Sequence, residues 1–333
     1  MANTFITLEK NDLFSNFNKE DLLTLLCEIE SYILTYRNKL NLPPDLSFGI
    51  EIEYERIRKK VVDNYINKKH PTWDSKIDAS LKFGGEVTSP ILFDEKENWQ
   101  ELKQVCQFLQ KHHANTLDNA AGHIHIGTHL IGNDVKAWQT FLKLYTAYES
   151  IIFRFAYGDK INARKKIFNY AEPISDMLYI KLLEIESAKD FKDIVSLLPR
   201  KERRLAVNFE NIDIFDPNEK IVKNTIEFRS PNATVDEIIW QNNVNTLTKM
   251  LLSCKKDLVD TDYVDYILRK EHLKFEQNKY LYQIINLKNA LEFVDLIFDN
   301  NLDKVYFLKQ YLKGFEEIIG DTKLVKAHKF TRG

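Results

Sequence analysis

The sequence predicts an α+β protein in which helices cover one face of a sheet and leave the other face open, polar and concave. Three observations carry this. Several β-like runs alternate chemically active and apolar residues. These runs fall in two groups around helical stretches, without the regular βαβα alternation of a doubly wound sheet. The stretch from Thr234 to Gly320 has mostly helical spacing and is rich in Leu, Ile, Phe and Tyr.

The alternation is clearest at Glu51–Ile52–Glu53, His123–Ile124–His125 and Glu227–Phe228–Arg229. Alternate side chains of a strand point to opposite faces. Glu51 and Glu53 therefore share one face, with Ile50, Ile52 and Tyr54 on the other. His123 and His125 are flanked in the same way by Ile124 and Ile126, and Glu227 and Arg229 by Ile226 and Phe228. Asp78 and Glu86 make a fourth polar pair.

Along the chain, a helix is expected from about Asn18, which can cap it, with Asp21 at the third position. Its apolar stripe is Leu22, Leu25, Leu26, Ile29, Ile33, Tyr36 and Leu40, and Pro43–Pro44 ends it. A strand follows through 47–57. A polar helix over 59–69 is stopped by Pro71. Extended pieces surround Asp78 and run from Glu86 to Leu92. A helix from about Glu97 to His113 carries Trp99, Leu102, Cys106 and Leu109 on one face. After the His123 strand, a helix from Asn133 is striped with Trp138, Phe141, Tyr145, Tyr148, Ile152 and Phe155. Residues 175–198 read as two helical pieces. Strands through 204–212 and 224–231 close the sheet. His112, His113 and His129 read as surface or helix-end histidines; His129 also shares strand parity with His123 and His125, so a place at the border of the same face stays open for it. No repeat or Gly/Ser linker marks a boundary. The chain therefore reads as one domain over 1–333, with a helical segment (1–44), a sheet core (45–257) and a helical extension (258–333).

With 333 residues, 44% of them hydrophobic, a large core can be built. A net charge of −2 argues against a nucleic-acid or membrane-surface role. Cys27, Cys106 and Cys254 are far apart and read as buried, reduced thiols. Residues 1–14 lack the apolar core of a signal peptide, and no apolar run approaches the roughly 18 residues of a membrane span. The expected location is the cytoplasm.

If Glu51, Glu53, Asp78, Glu86 and Glu227 converge, each close pair of carboxylates repels by about 4 kcal/mol at about 4 Å with an effective dielectric near ~20. Hard divalent cations with oxygen ligands, Mg²⁺ or Mn²⁺, are the natural counter-charge. Arg229 offers a fork of donors suited to phosphate or carboxylate. Acids, divalent metal and arginine are together the parts for handling a nucleoside triphosphate. No GxxxxGK[ST] or GxGxxG loop is present, so a nucleotide would be held through metals and side chains. Other readings stay open at this point. The strand acids can face water, the His-x-His pair can hold a borderline metal, and Glu227 with Arg229 can be a surface ion pair.

The residues also resemble a known family, the amidoligases, carboxylate–amine ligases of the glutamine synthetase and glutamate–cysteine ligase superfamily. The matching pieces are FGIEIEYE (48–55), DASLKFGGEVTSP (78–90), GHIHIG (122–127), LAVNFENI (205–212) and TIEFRSPNATVDE (225–237). They cover roughly residues 45–250 in family order. The resemblance implies a curved antiparallel sheet of the glutamine synthetase type. It implies metal ligands at Glu51, Glu53, Asp78, Glu86, His123 and Glu227. Catalytic roles fall to Glu53, Glu86, Glu227 and Arg229. His125 would lie near the nucleotide phosphates, with Arg229 contacting phosphate or acyl substrate. The stretch NARKKIFNYAEPIS makes Arg164 and Tyr170 further contacts. Asp78 departs from glutamine synthetase, which has a glutamate there. The implied activity is ATP-dependent amide or isopeptide formation through an acyl phosphate, with Mg²⁺ or Mn²⁺. The substrates would be small-molecule or peptide carboxylates and amines, and a homo-oligomer is compatible. The rival readings are a metal-dependent hydrolase, a phosphotransferase of the guanidino-kinase kind, and a non-catalytic binding protein that keeps the fold.

Overall fold

The structure is a computed structural model that describes residues 28–313, apart from 30, 117–118, 159–163, 165, 200–203, 213–223 and 273–283. The strands are β1 (Phe48–Glu55), β2 (Asp74–Lys76), β3 (Gly84–Thr88), β4 (Gly122–Gly127), β5 (Val207–Asn208) and β6 (Thr225–Phe228). They form one sheet in the order β2–β3–β1–β4–β6–β5, with every pair antiparallel. The helices are α1 (Lys59–Lys69), α2 (Lys96–Lys111), α3 (Val135–Ala156), α4 (Ile167–Tyr170), α5 (Ser175–Ile180), α6 (Leu182–Ser187), α7 (Phe191–Leu197), α8 (Glu237–Lys255), α9 (Thr261–His272), α10 (Ile284–Ile297) and α11 (Asn301–Tyr311). This is a mixed α/β molecule with an open antiparallel sheet.

The apolar half of each strand's alternation forms the core. Ile50, Ile52, Ile124, Ile126, Ile226 and Phe228 are fully buried. Helices pack against that face. Phe48 stacks on Trp99 of α2 with ring centroids 4.9 Å apart, and Phe228 meets Tyr145 of α3 at 6.4 Å. Trp240 of α8 sits so close to Gly122 that a Cβ there would lie 2.3 Å from its ring. Only glycine lets the helix approach the sheet this closely. One hydrophobic cluster runs from Ile29 to Leu312 and includes the C-terminal helices.

Several elements differ from their sequence reading. The first helix ends at Ser31, and residues 32–42 are irregular; its expected start at Asn18 lies outside the described residues. The apolar spacing of Ile33, Tyr36 and Leu40 is helical, but the backbone there bonds to distant side chains. Thr35 N–H donates to Tyr306 Oη at 3.0 Å and Arg37 N–H to Gln241 Oε1 at 3.0 Å. Leu40 and Leu42 N–H donate to the two oxygens of Asp94, at 2.8 and 2.9 Å. Residues 32–42 thus form a strap over the helices.

Residues 175–198 make three helices rather than two. The strand expected to reach Leu92 ends at Thr88, before Pro90, and Leu92 makes only an isolated bridge to Phe48. Asp78 lies on the connection between β2 and β3, the extended pieces that flank it. His129 falls in a 3₁₀ turn rather than on the strand, with its ring over Gly127 and its Nε2 2.7 Å from Asp45 O. Among the described residues no helix is long and apolar enough to cross a membrane.

Candidate functional site

Antiparallel register turns the strand alternation into a diagonal row across the sheet. Glu53 stands opposite Glu86 between β1 and β3, and Glu51 opposite His123 between β1 and β4. His125 faces Glu227 between β4 and β6, and Glu227 faces Asn208 between β6 and β5. A side chain's face is fixed by its parity, so one-residue slips in any strand would scatter this set.

The row opens into a cavity of about 330 Å³. Glu51, Glu53, Asp78, Glu86, His123, Arg164, Tyr170 and Arg229 line it. His125 and Glu227 stand behind this lining. His125 Nε2 lies 3.2 Å from Glu51 Oε1. Glu227 is gripped from two sides, by an ion pair with Arg229 and by Asn208 Nδ2 at 2.7 Å. All ten residues singled out in the sequence are therefore in or against one cavity. Arg229 also donates from Nε to Tyr170 O at 3.4 Å. The Arg164 guanidinium is directed at backbone: it donates to the carbonyls of Arg229, Ser230 and Pro231 at 2.9, 3.3 and 2.8 Å.

The carboxylates are held in different states. Burial opposes charge on Glu51, but hydrogen bonds from His123 and His125 outweigh it and hold the group well below the usual carboxylate range. Burial pushes Glu53 up to about 7, aided by the negative Asp78 and Glu86 and only partly offset by the Ala121 N–H at 2.6 Å. Burial also raises Glu86, together with the charge on Glu51. Glu227 is buried too, yet Arg229 and the two histidines lower it. Burial depresses His123, whereas the bond to Glu51 raises His125 against its own burial.

These residues fit a divalent metal. A neutral His123 that donates from Nδ1 to Glu51 at 2.9 Å leaves a lone pair on Nε2. That Nε2 is buried, has no hydrogen-bond partner, and lies 3.9 Å from Glu53 Oε1. A cation with ligand distances of about 2.1 Å bridges such a gap. Three overlapping sets bring their ligand atoms within 4.8 Å of one another: Glu51–Glu86–His123, Glu51–His125–Glu227 and Glu53–Asp78–Glu86. His125 thus joins the candidate ligands, a place the sequence reading gave only to the other six.

Other residues of the site were not singled out in the sequence. Glu55 shares the face of Glu51 and Glu53 and is buried, but its oxygens are taken by Lys82 N–H at 3.0 Å and Asn119 Nδ2 at 3.1 Å. It anchors the β2–β3 turn beside the cavity. Asn208 orients Glu227. The signal for it was the same alternation, between Val207 and Phe209.

An open antiparallel sheet whose polar face gathers carboxylates, imidazoles and an arginine defines the class of site. Residues 59–251, more than half the chain, match the family described as "Putative amidoligase enzyme", and the chain belongs to that family. The match begins after β1, so Glu51 and Glu53 precede it. No curated protein matches the chain. Among solved structures, a bifunctional glutathione synthetase from Pasteurella multocida aligns with 86% of this chain and 51% of its own length. Identity is 12% and the TM-score 0.46, so this chain spans about half of that protein and the likeness carries no conclusion.

Proposed function

We propose that the protein is an ATP- and divalent-metal-dependent ligase that joins a carboxylate to an amine. The observation that carries this is the meeting of seven metal-competent side chains and Arg229 in or against one cavity, as three sets whose ligand atoms lie within 4.8 Å of one another. Membership of the amidoligase family supports the same chemistry. The sheet would be glutamine synthetase-like, with helices on one face and the site on the other. Residues 1–333 would form one catalytic domain, which the main core cluster of the described residues, running from Ile29 to Leu312, supports.

Glu51, Glu53, Asp78, Glu86, His123, His125 and Glu227 would hold the metal. A divalent ion there supplies charge neutralisation for a transferring phosphoryl group. The substrate carboxylate attacks the γ-phosphorus of ATP; the bond to ADP breaks and an acyl phosphate forms. The amine then attacks the acyl carbon, the acyl–phosphate bond breaks, and phosphate leaves. Arg229, fixed beside Glu227, stabilises the charge that develops on the phosphate oxygens. Glu53 or Glu86, where the ion leaves one of its oxygens free, would take up the proton that the attacking amine sheds.

The test is ADP release measured over a panel of carboxylates and amines with Mg²⁺ or Mn²⁺. A ligase releases ADP and phosphate only when both acid and amine are present. Glu227→Ala or Arg229→Ala should lower that rate by about 100-fold or more with little change in melting temperature. Wild-type turnover in either variant overturns the site. Phosphate retained on an acceptor would assign a phosphotransferase instead.

A further inference from the structure

A helix leaves its last four carbonyls without partners inside the helix. At the end of α3, Phe153 O and Phe155 O accept the N–H groups of Tyr157 and Gly158, and the carbonyls of residues 154–157 also receive donors from far away in sequence. Arg154 O accepts Lys313 Nζ at 2.9 Å, and Phe155 O accepts Gln310 Nε2 at 2.8 Å. Ala156 O accepts the Asn232 N–H at 3.1 Å, and Tyr157 O accepts Asn232 Nδ2 at 3.3 Å. The Lys313 charge also suits the negative end of the α3 dipole. Arg154 returns the contact, donating to Tyr311 O at 3.3 Å and Lys313 O at 2.5 Å. The C-terminal ends of α3 and α11 thus cap each other.

The network continues to the cavity. Asn232 Oδ1 accepts the Arg164 N–H at 3.1 Å. The Arg164 guanidinium then grips the carbonyls of residues 229–231. β6 ends at Phe228, so Arg229 lies just past the strand ladder. Together with its own N–H bond to Ala206 O and the bridge of residues 231–233 to 120–122, this grip fixes where the Arg229 backbone runs. Asn232, Arg154, Arg164 and Gln310 are all at most 3% exposed, so water cannot readily replace these bonds. Gln310 and Lys313 lie outside the stretch that matches the family.

We infer that the C-terminal helical region completes the site: Lys313 and Asn232 are positioning residues that, through Arg164, hold Arg229 in place to receive an anionic group. The inference rests on the ligase reading for what Arg229 receives, but not for the clamp itself. Hydrogen exchange on the full-length protein reads the clamp without substrate. Lys313→Met should speed exchange about tenfold in 154–158 and in 226–233, leave β1 and β4 unchanged, and be rescued by Lys313→Arg. Calorimetry then reads the aim of Arg229. Lys313→Met should weaken MgATP by about fivefold or more with Mn²⁺ affinity unchanged, a split that general loosening would not give. If Lys313→Met lowers the melting temperature of the whole protein, Lys313→Gln, which keeps a donor without the charge, carries the same comparison. Wild-type exchange in 226–233 overturns the clamp. Faster exchange there with MgATP affinity unchanged overturns its role in aiming Arg229. Absence of MgATP binding in the wild type overturns the ligase reading instead, and the exchange result still decides the clamp.

Discussion

Glu53 meets burial and negative neighbours that act in the same direction. An ordinary glutamate in the unfolded chain releases its proton near 4.5, whereas folded Glu53 does so near 7. Between those values the folded protein binds more protons than the unfolded one, so stability falls as pH rises, and the whole loss persists above the folded value. The size is about 3 kcal/mol. In the metal-free protein, Glu53→Gln should therefore be about 3 kcal/mol more stable than wild type at pH ~8 and equal to it at pH ~4. Urea unfolding at both values checks this, and a variant no more stable at the higher pH would show that Glu53 is not strained. At this scale the sequence was most legible where strand parity acts. Glu51, Glu53, His123, His125, Glu227 and Arg229 needed only a period of two to be grouped. Asn208 was harder to see: it sits singly between Val207 and Phe209, without the x-apolar-x pairing of active residues that marks the other strands. The bonds of Arg164 to residues 229–231 join points some 65 residues apart, and no local pattern encodes them.

Among the elements, the strap over residues 32–42 departs furthest from its local pattern. Its apolar spacing is that of a helix, yet long-range bonds from Asp94, Gln241 and Tyr306 settle its backbone. Asp94 is the central one. It is buried, accepts Leu40 and Leu42 N–H, and also accepts the Trp99 Nε1–H at 2.8 Å. Asp94→Ala leaves three buried donors without partners, at about 1–3 kcal/mol each. A loss of about 3 kcal/mol or more is expected from denaturant unfolding; a loss below about 1 kcal/mol would mean the strap is loosely held. By contrast α1, α2 and α3 lie within a few residues of their sequence expectations. Their stripes are long, Pro71 stops α1, and Asp134 caps α3 through the Ala137 N–H at 3.1 Å.

For the whole molecule, a cavity of buried carboxylates is a standing repulsion that a bound cation relieves. Mn²⁺ at about one hundred times its dissociation constant should stabilise the fold by about 2.7 kcal/mol for each site filled. Thermal unfolding with Mn²⁺ and then with a chelator reads this directly: the melting temperature should rise by several degrees and return. A doubly substituted Glu51→Gln, Glu86→Gln protein should lose the response, and an unresponsive wild type would show that the cluster is no metal site. The sheet's two margins carry a different consequence. β2 has three residues and β5 has two. A foreign strand needs a longer row of free backbone donors and acceptors to template on. Among the described residues neither margin offers such a row, so this sheet is poorly suited to growth by strand exchange at either side.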